Sequence, residues 1–220
     1  MPEMREIFLG VWKRGSRIFT ENSVKGDRSF SPSLITAKGK EYREWDPNRS
    51  KPAAAIMRGL KEFPVKPGSD ILYLGISSGT TASFFSDIIG PEGVIYGIEV
   101  SERSIRDLNF VAEKRENIVP ILANARCPDA YMWVEKVDIV YQDVATNDQS
   151  EILIRNAERF LKPAGFAMMA IKARSINVIK PPQEIYKKEL AKLRKHFKVF
   201  DQRELDPYEK DHCFVVMKKK

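Results

Sequence analysis

Cysteine is scarce in this chain: among 220 residues there are two, Cys127 and Cys213, far apart and outside any metal-ligand spacing. That excludes a disulfide framework and a cysteine-bound zinc site, and it points to the cell interior as the compartment. Both thiols are read as packing residues. Long apolar runs are missing too. No segment approaches the ~20 apolar residues that span a bilayer, and the opening stretch MPEMREIFLGVWKRGSR has no apolar core of leader-peptide length, so a soluble protein is expected. Internal repeats and low-complexity tracts are absent. With 43% hydrophobic and 30% charged residues there is enough apolar material for a packed core, which excludes the disordered and fibrous classes.

Charge, by contrast, is abundant and unevenly placed. The net +7 averages a basic start (+6 over residues 1–68), an acidic middle (−6 over 69–165) and a basic end (+7 over 166–220). Basic ends fit a polyanionic partner, because Lys and Arg that neutralise phosphates release condensed counterions. Solvated lysine faces would give the same distribution.

From Asp70 onward, short β-branched or aromatic runs alternate with helical patterns, the layout of a parallel sheet with crossover helices. Strands are expected at Asp70–Leu74, Val94–Glu99, Ile118–Leu122, Val137–Gln142 and Phe166–Lys172, and helices at Thr80–Ile89, Glu102–Arg115 and Asp148–Leu161. Asp148 reads as a helix N-cap. Pro181-Pro182 open a further helix with Tyr186, Leu190, Leu193 and Phe197 on one face. KVFDQREL and HCFVVMKKK then follow too closely for a parallel crossover and should pair antiparallel. Residues 1–50 read as a small β subdomain, with hairpins around Arg14-Gly15 and Lys38-Gly39-Lys40, and residues 51–220 as the main domain.

In an open α/β sheet, ligands bind beyond the carboxyl ends of the strands, near the point where strand order reverses. The first exit reads Gly75-Ile76-Ser77-Ser78-Gly79-Thr80-Thr81: glycines that permit close backbone approach, then a helix presenting free N–H groups. It matches neither the GxGxxG fingerprint nor the P-loop, and a structural turn would use the same residues. Glu99 closes the second strand, where an acid can accept from ribose hydroxyls. Turn and acid together suit a nucleoside-containing cofactor, either a nicotinamide dinucleotide or S-adenosylmethionine. The missing third glycine favours the latter. Asp143, directly after the apolar run VDIVY, stands where sites usually form.

Several long motifs carry a resemblance: YREWDPNRSKPAAAI (42–56), ILYLGISSGTTASFFSDIIGPEG (71–93), IYGIEVS (95–101), IVPILANARCP (118–128), VDIVYQDVATNDQ (137–149), Ala170-Ile171-Lys172-Ala173 and KDH (210–212). In this order they resemble the fibrillarin family, the ribose 2′-O-methyltransferases of box C/D ribonucleoprotein particles. The glycine- and arginine-rich tail of eukaryotic members is missing, so the chain looks like the compact archaeal form. The resemblance implies a Rossmann-like class I methyltransferase fold, mostly parallel with a C-terminal antiparallel strand, and a small N-terminal β subdomain. It also implies S-adenosyl-L-methionine as methyl donor and rRNA as target, with tRNA as a second class of target. The implied partners are a guide RNA, a Nop-type scaffold protein and a kink-turn-binding ribosomal-type protein, with no membrane involved.

Carried over by position, the resemblance places Thr80 and Thr81 at the methionine end, Glu99 on the ribose, and Val100, Asn124 and Ala125 around the adenine. Gly75 and Gly79 shape the turn, and Asp143, Val144, Ala145 and Thr146 complete the cofactor site. Three positions depart from the family pattern: Val100 where an aromatic residue often stacks, Asn124 in place of an acid, and Thr146 in place of a glutamine. These imply weaker donor binding, since an amide oxygen accepts without charge assistance. The implied catalytic set is Lys51, Asp143, Lys172 and His212, with Lys172 as base, Asp143 as orienter, and Lys51 and His212 positioning the ribose and its phosphate. A lysine serves as base only where burial or a neighbouring cation favours its neutral form. The acidic block then holds Glu99 and Asp143, suited to a cationic donor, and the basic blocks hold Lys51, Lys172 and His212, facing RNA. Two other readings stand beside this one: a non-catalytic structural subunit of an RNA–protein particle, and nicotinamide-dependent oxidoreduction.

Overall fold

The computed structural model describes residues 3–220. Its chain begins with five short strands, β1 (Arg5–Phe8), β2 (Val11–Arg14), β3 (Arg17–Glu21), β4 (Leu34–Ala37) and β5 (Lys40–Glu44), in an antiparallel sheet of order β1-β2-β3-β5-β4. Both expected hairpins form. The second closes through a two-residue loop, Lys38-Gly39, with positive φ at both residues, the backbone twist that two-residue hairpins favour. Strand β1 had no counterpart in the sequence reading; four residues with no alternation give period-based reasoning little to act on.

After helix α1 (Lys51–Met57), strands β6 (Ile71–Leu74), β7 (Ile95–Glu99), β8 (Ile118–Leu122), β9 (Val137–Gln142), β10 (Leu161–Lys172), β11 (Phe197–Glu204) and β12 (His212–Lys219) form one sheet. Its order is β11-β12-β10-β9-β6-β7-β8. The five strands from β10 to β8 run parallel, while β12 lies antiparallel between β10 and β11. The order reverses between β6 and β9, so the exits of these two strands flank the crevice where ligands bind.

Helices α2 (Thr80–Ile89), α3 (Glu102–Ala112), α4 (Gln149–Phe160), α5 (Ala173–Ile176) and α6 (Pro182–His196) connect the strands. Alternation along each strand supplies two cores. Ile71, Tyr73, Ile139 and Tyr141 pack with α1, α2, α3 and the N-terminal sheet, whereas Leu72, Leu74 and Val140 pack with α4 and α6. Trp45 is fully buried and stacks on Phe84 of α2, joining the small sheet to the first core.

Some boundaries differ from the expected ones. Helix α3 ends at Ala112, and Arg115, expected in its last turn, is buried against Asp87 of α2. Strand β10 starts at Leu161, and its register against β9 breaks before Phe166, the residue where the apolar run begins. Phe197 opens β11 instead of closing α6, although it is buried as the apolar face requires. Among the described residues no helix is long and apolar enough to cross a membrane.

Candidate active site

The exit of β6 is shaped by what cannot fit there. Gly75 has φ +78°, and a Cβ added to it would lie 3.1 Å from the Val144 amide nitrogen, so the β6 and β9 exits approach as closely as backbone allows. At Gly79 an added Cβ would lie 2.7 Å from Leu108 Cδ1 of α3. Gly79 therefore serves helix packing.

Glu99, at the end of β7, bends back over this exit. Its Oε2 accepts from the Ser77 amide at 2.9 Å, and its Oε1 accepts from the amides of Val100 and Ser101, each at 2.9 Å. A carboxylate has about four acceptor sites, so about one remains for a ligand hydroxyl. Glu99 borders a cavity of about 430 Å³ that also meets Gly75, Val100, Asn124, Ala125, Lys172 and the segment Asp143–Thr146. Val100 is 68% exposed, an apolar wall without an aromatic face. The Asn124 Oδ1 accepts from the Arg126 amide at 3.0 Å.

Arg126 lines the same cavity and is gripped by Asp148 through two bonds, Nε to Oδ2 at 2.7 Å and Nη2 to Oδ1 at 2.6 Å. The guanidinium holds the Asp148 carboxyl down to about 2. Asp148 precedes α4 as expected, but its side chain makes no capping bond and turns to Arg126 instead.

A second cavity of about 230 Å³ adjoins the first and shares Gly75, Ser77, Asp143 and Lys172 with it. Thr80, Thr81, Arg49 and Lys51 line only this smaller one. Thr81 is buried, and its hydroxyl shares a 2.9 Å hydrogen bond with that of Ser50, which ties the start of α1 to α2 and so fixes where Lys51 emerges.

Asp143 stands where the two cavities meet. Its Oδ2 accepts from Lys51 Nζ at 3.1 Å, and its main-chain oxygen accepts from Lys172 Nζ at 2.7 Å. The same Nζ lies 2.8 Å from Oδ1, an ion contact whose angle leaves Oδ1 buried without an aligned donor. Lys172 faces His212 across the β10–β12 ladder. The His212 Nδ1 lies 2.7 Å from the Lys210 carbonyl, which can only accept, so Nδ1 carries the hydrogen and Nε2 is left free in the neutral ring. Glu209 lies between the two groups, 3.8 Å from Lys51 and 4.0 Å from His212.

The fold thus gathers Lys51, Asp143 and Lys172 in direct contact and holds His212 beside them, though His212 lines neither cavity. Ser77, Arg126, Arg49 and Glu209 were missed in the sequence. Ser77 and Arg126 sit inside motifs already singled out, whereas Glu209 lies in a turn with nothing to mark it. Of the cysteines, Cys213 is buried as expected, but Cys127 is exposed: it stands in the surface loop after β8, outside either core.

A sheet with an antiparallel β12–β11 end and a crevice at the β6/β9 switch point, closed by an acid on β7, belongs to the α/β methyltransferases. The residues suit the donor of that class: a cavity within the roughly 300–1,000 Å³ of small-molecule sites, a glycine cradle that a Cβ would fill, and an acid on β7 with about one acceptor site left for a hydroxyl. The model of the family described as Fibrillarin matches residues 1–220. The Pyrococcus horikoshii fibrillarin-like rRNA/tRNA 2′-O-methyltransferase is 51% identical over 204 residues, covering 92% of this chain and 90% of that protein. The structure of Aeropyrum pernix fibrillarin with natively bound S-adenosyl-L-methionine superposes with a TM-score of 0.87 at 46% identity, over 99% of this chain and 100% of that one. That of a fibrillarin/Nop5p complex does so at 0.90 and 36% identity, over 98% and 100%. This chain belongs to the fibrillarin family.

Proposed function

We propose that this chain transfers a methyl group from S-adenosylmethionine to the ribose 2′-hydroxyl of rRNA, and of tRNA, at sites chosen by a box C/D guide RNA. The observation that carries the reading is Asp143 in contact with the amino groups of Lys51 and Lys172 at the seam of a donor-sized and a smaller cavity. Residues 1–50 act as a β subdomain and 51–220 as the methyltransferase domain. The resemblance to the fibrillarin/Nop5p complex supports a Nop-type scaffold as partner. A kink-turn-binding protein, the guide RNA and a cytoplasmic setting complete the scheme. Because base pairing selects the nucleotide, the chain needs phosphate affinity without base readout.

The donor, when bound, supplies an electrophilic methyl on a sulfonium. Glu99 would hold its ribose, Val100, Asn124 and Ala125 its adenine, and Thr80, Thr81 and the segment Asp143–Thr146 its methionine end. Lys172, as a neutral amine, takes the 2′-hydroxyl proton. Its Nζ donates to the Asp143 main-chain oxygen at 2.7 Å, which leaves the remainder of the amine, with its lone pair, to meet the acceptor. Lys51 and His212 place the acceptor ribose and its phosphate. Much of the acceleration comes from alignment of the reacting groups, worth up to about 7–11 kcal/mol in well-oriented systems.

The test is transfer of labelled methyl by the particle reconstituted with guide and matched target, wild type against Asp143→Ala and Lys172→Ala. Wild-type transfer with a loss of at least about a hundredfold in both variants is expected. Retained transfer in both would sink the catalytic assignment, and no transfer by wild type would favour a structural subunit.

A further inference from the structure

Lys172 ends β10 without the strand that supports the rest of β10 on that side. The parallel register of β10 against β9 stops at Met169 opposite Gln142, three residues short of Lys172, because β9 turns away there to present Asp143. On the other edge Lys172 still faces His212 of β12. The peptide groups of Lys172 that would have bonded to a continued β9 must find other partners, since a buried backbone group left unpaired is costly.

Gln149 is that partner. It is the first residue of α4, fully buried, and its carboxamide reaches from the helix start to the end of β10. Its Oε1 accepts from the Lys172 amide at 3.0 Å, and its Nε2 donates to the Lys172 carbonyl at 3.2 Å and to the Thr146 carbonyl at 2.8 Å. A carboxamide carries the same donor and acceptor as a peptide unit, so one side chain stands in for the missing strand. Gln149 is itself pinned: its main-chain oxygen accepts from the Nε2 of Gln142, another fully buried residue, at 2.7 Å. Gln142 directly precedes Asp143. The chain of amides Gln142–Gln149–Lys172 therefore joins the backbone that carries the carboxylate to the backbone that carries the amine, and holds the Thr146 wall of the larger cavity in the same link.

We infer that Gln149 is a positioning residue for methyl transfer: it sets the distance of Lys172 from Asp143 and couples the cofactor loop to the acceptor side of the site. The inference rests on the function proposed above. Without these bonds the end of β10 is free to move, and the 2.7 Å bond from Lys172 Nζ to Asp143 moves with it, while Glu99 keeps its own backbone partners.

The test uses the reconstituted particle with wild type, Gln149→Leu, the isosteric Gln149→Glu and Lys172→Ala. Gln149→Leu removes the donor and the acceptor together. Gln149→Glu keeps the shape but turns an acceptor toward the carbonyls of Thr146 and Lys172. With folding verified by thermal melting, both Gln149 variants are expected to lose about tenfold or more in kcat at saturating donor, a larger factor than any change in donor Kd through the Thr146 wall. The midpoint of the kcat–pH profile should also move, since the environment of the base has changed, a readout that lowered stability alone would leave in place. Wild-type kcat and pH profile in folded Gln149→Leu or Gln149→Glu would overturn the inference. The Lys172→Ala arm keeps the two claims apart: wild-type activity in that variant refutes the base assignment, whereas loss there with full activity in both Gln149 variants refutes only the positioning role.

Discussion

At the scale of single residues, the proposed donor site contains positions that can be tested one at a time. Asn124 is exposed at the cavity rim, with its Oδ1 engaged by the Arg126 amide. Replacing it by an acid supplies a charged acceptor where the adenine amino group is expected. Asn124→Asp should tighten S-adenosylmethionine binding by about three- to tenfold, the difference between a neutral and a charge-assisted hydrogen bond; a titration of the donor against both proteins measures it. The two thiols should also separate cleanly. Burial pushes the Cys213 thiol up to about 12, whereas Cys127 is exposed. At pH 8 an alkylating reagent is expected to label one thiol in the native protein and both after denaturation, as read by mass spectrometry. Sequence suggested packing for both cysteines, because residue type carries no information about whether a loop lies inside or outside the core.

At the scale of elements, the small sheet is joined to α2 by charges as well as by Trp45. Asp87, the one charged residue of α2, accepts from Arg43 Nε at 2.9 Å, Arg115 Nη1 at 2.6 Å and Thr20 Oγ1 at 2.7 Å, and all three charged side chains are fully buried. Burial pushes the Arg43 guanidinium below its ordinary value, Asp87 and Asp27 oppose that, and its Cζ lies over the Phe84 ring, 4.4 Å from the centroid. Asp87→Ala would leave two buried guanidiniums with Asp27 as their remaining counter-charge, at 3.9 and 3.3 Å. A loss of about 3–5 kcal/mol is expected, about 10 °C in Tm for a domain of this size, measurable by thermal unfolding. Little of this was legible. The period of α2 showed a helix, but Asp87 has partners 44 residues before it and 28 after it, and no local pattern reaches so far.

At the scale of the whole molecule, the net +7 divides between an acidic middle that carries Glu99 and Asp143 and basic ends that carry Lys51, Lys172 and His212. Under the proposed function RNA engages these ends through counterion release, whereas the donor is held by short contacts inside a cavity. Raising salt from about 50 to about 200 mM should weaken binding of guide and target RNA to the particle by at least about tenfold and donor binding by less than about twofold. Parallel titrations at the two salt concentrations decide it; equal sensitivity would contradict the division.

Residue order by itself determined where the elements lie, because alternation and helical periodicity are local: all five strands expected between Asp70 and Lys172 formed, within a residue or two except at the start of β10. Motifs likewise marked the strand exits, which depend on the same local pattern. Only the tertiary structure decided which exits meet. Strand β9 enters the sheet beside β6, between it and β10, and this insertion brings Asp143 against Lys51, 92 residues earlier, and Lys172, 29 residues later. It also ends β9 short of Lys172 and so creates the gap that Gln149 fills. Such pairings are settled by how two apolar faces and a set of buried hydrogen bonds are satisfied together, a condition on the whole sheet that no single stretch of sequence contains.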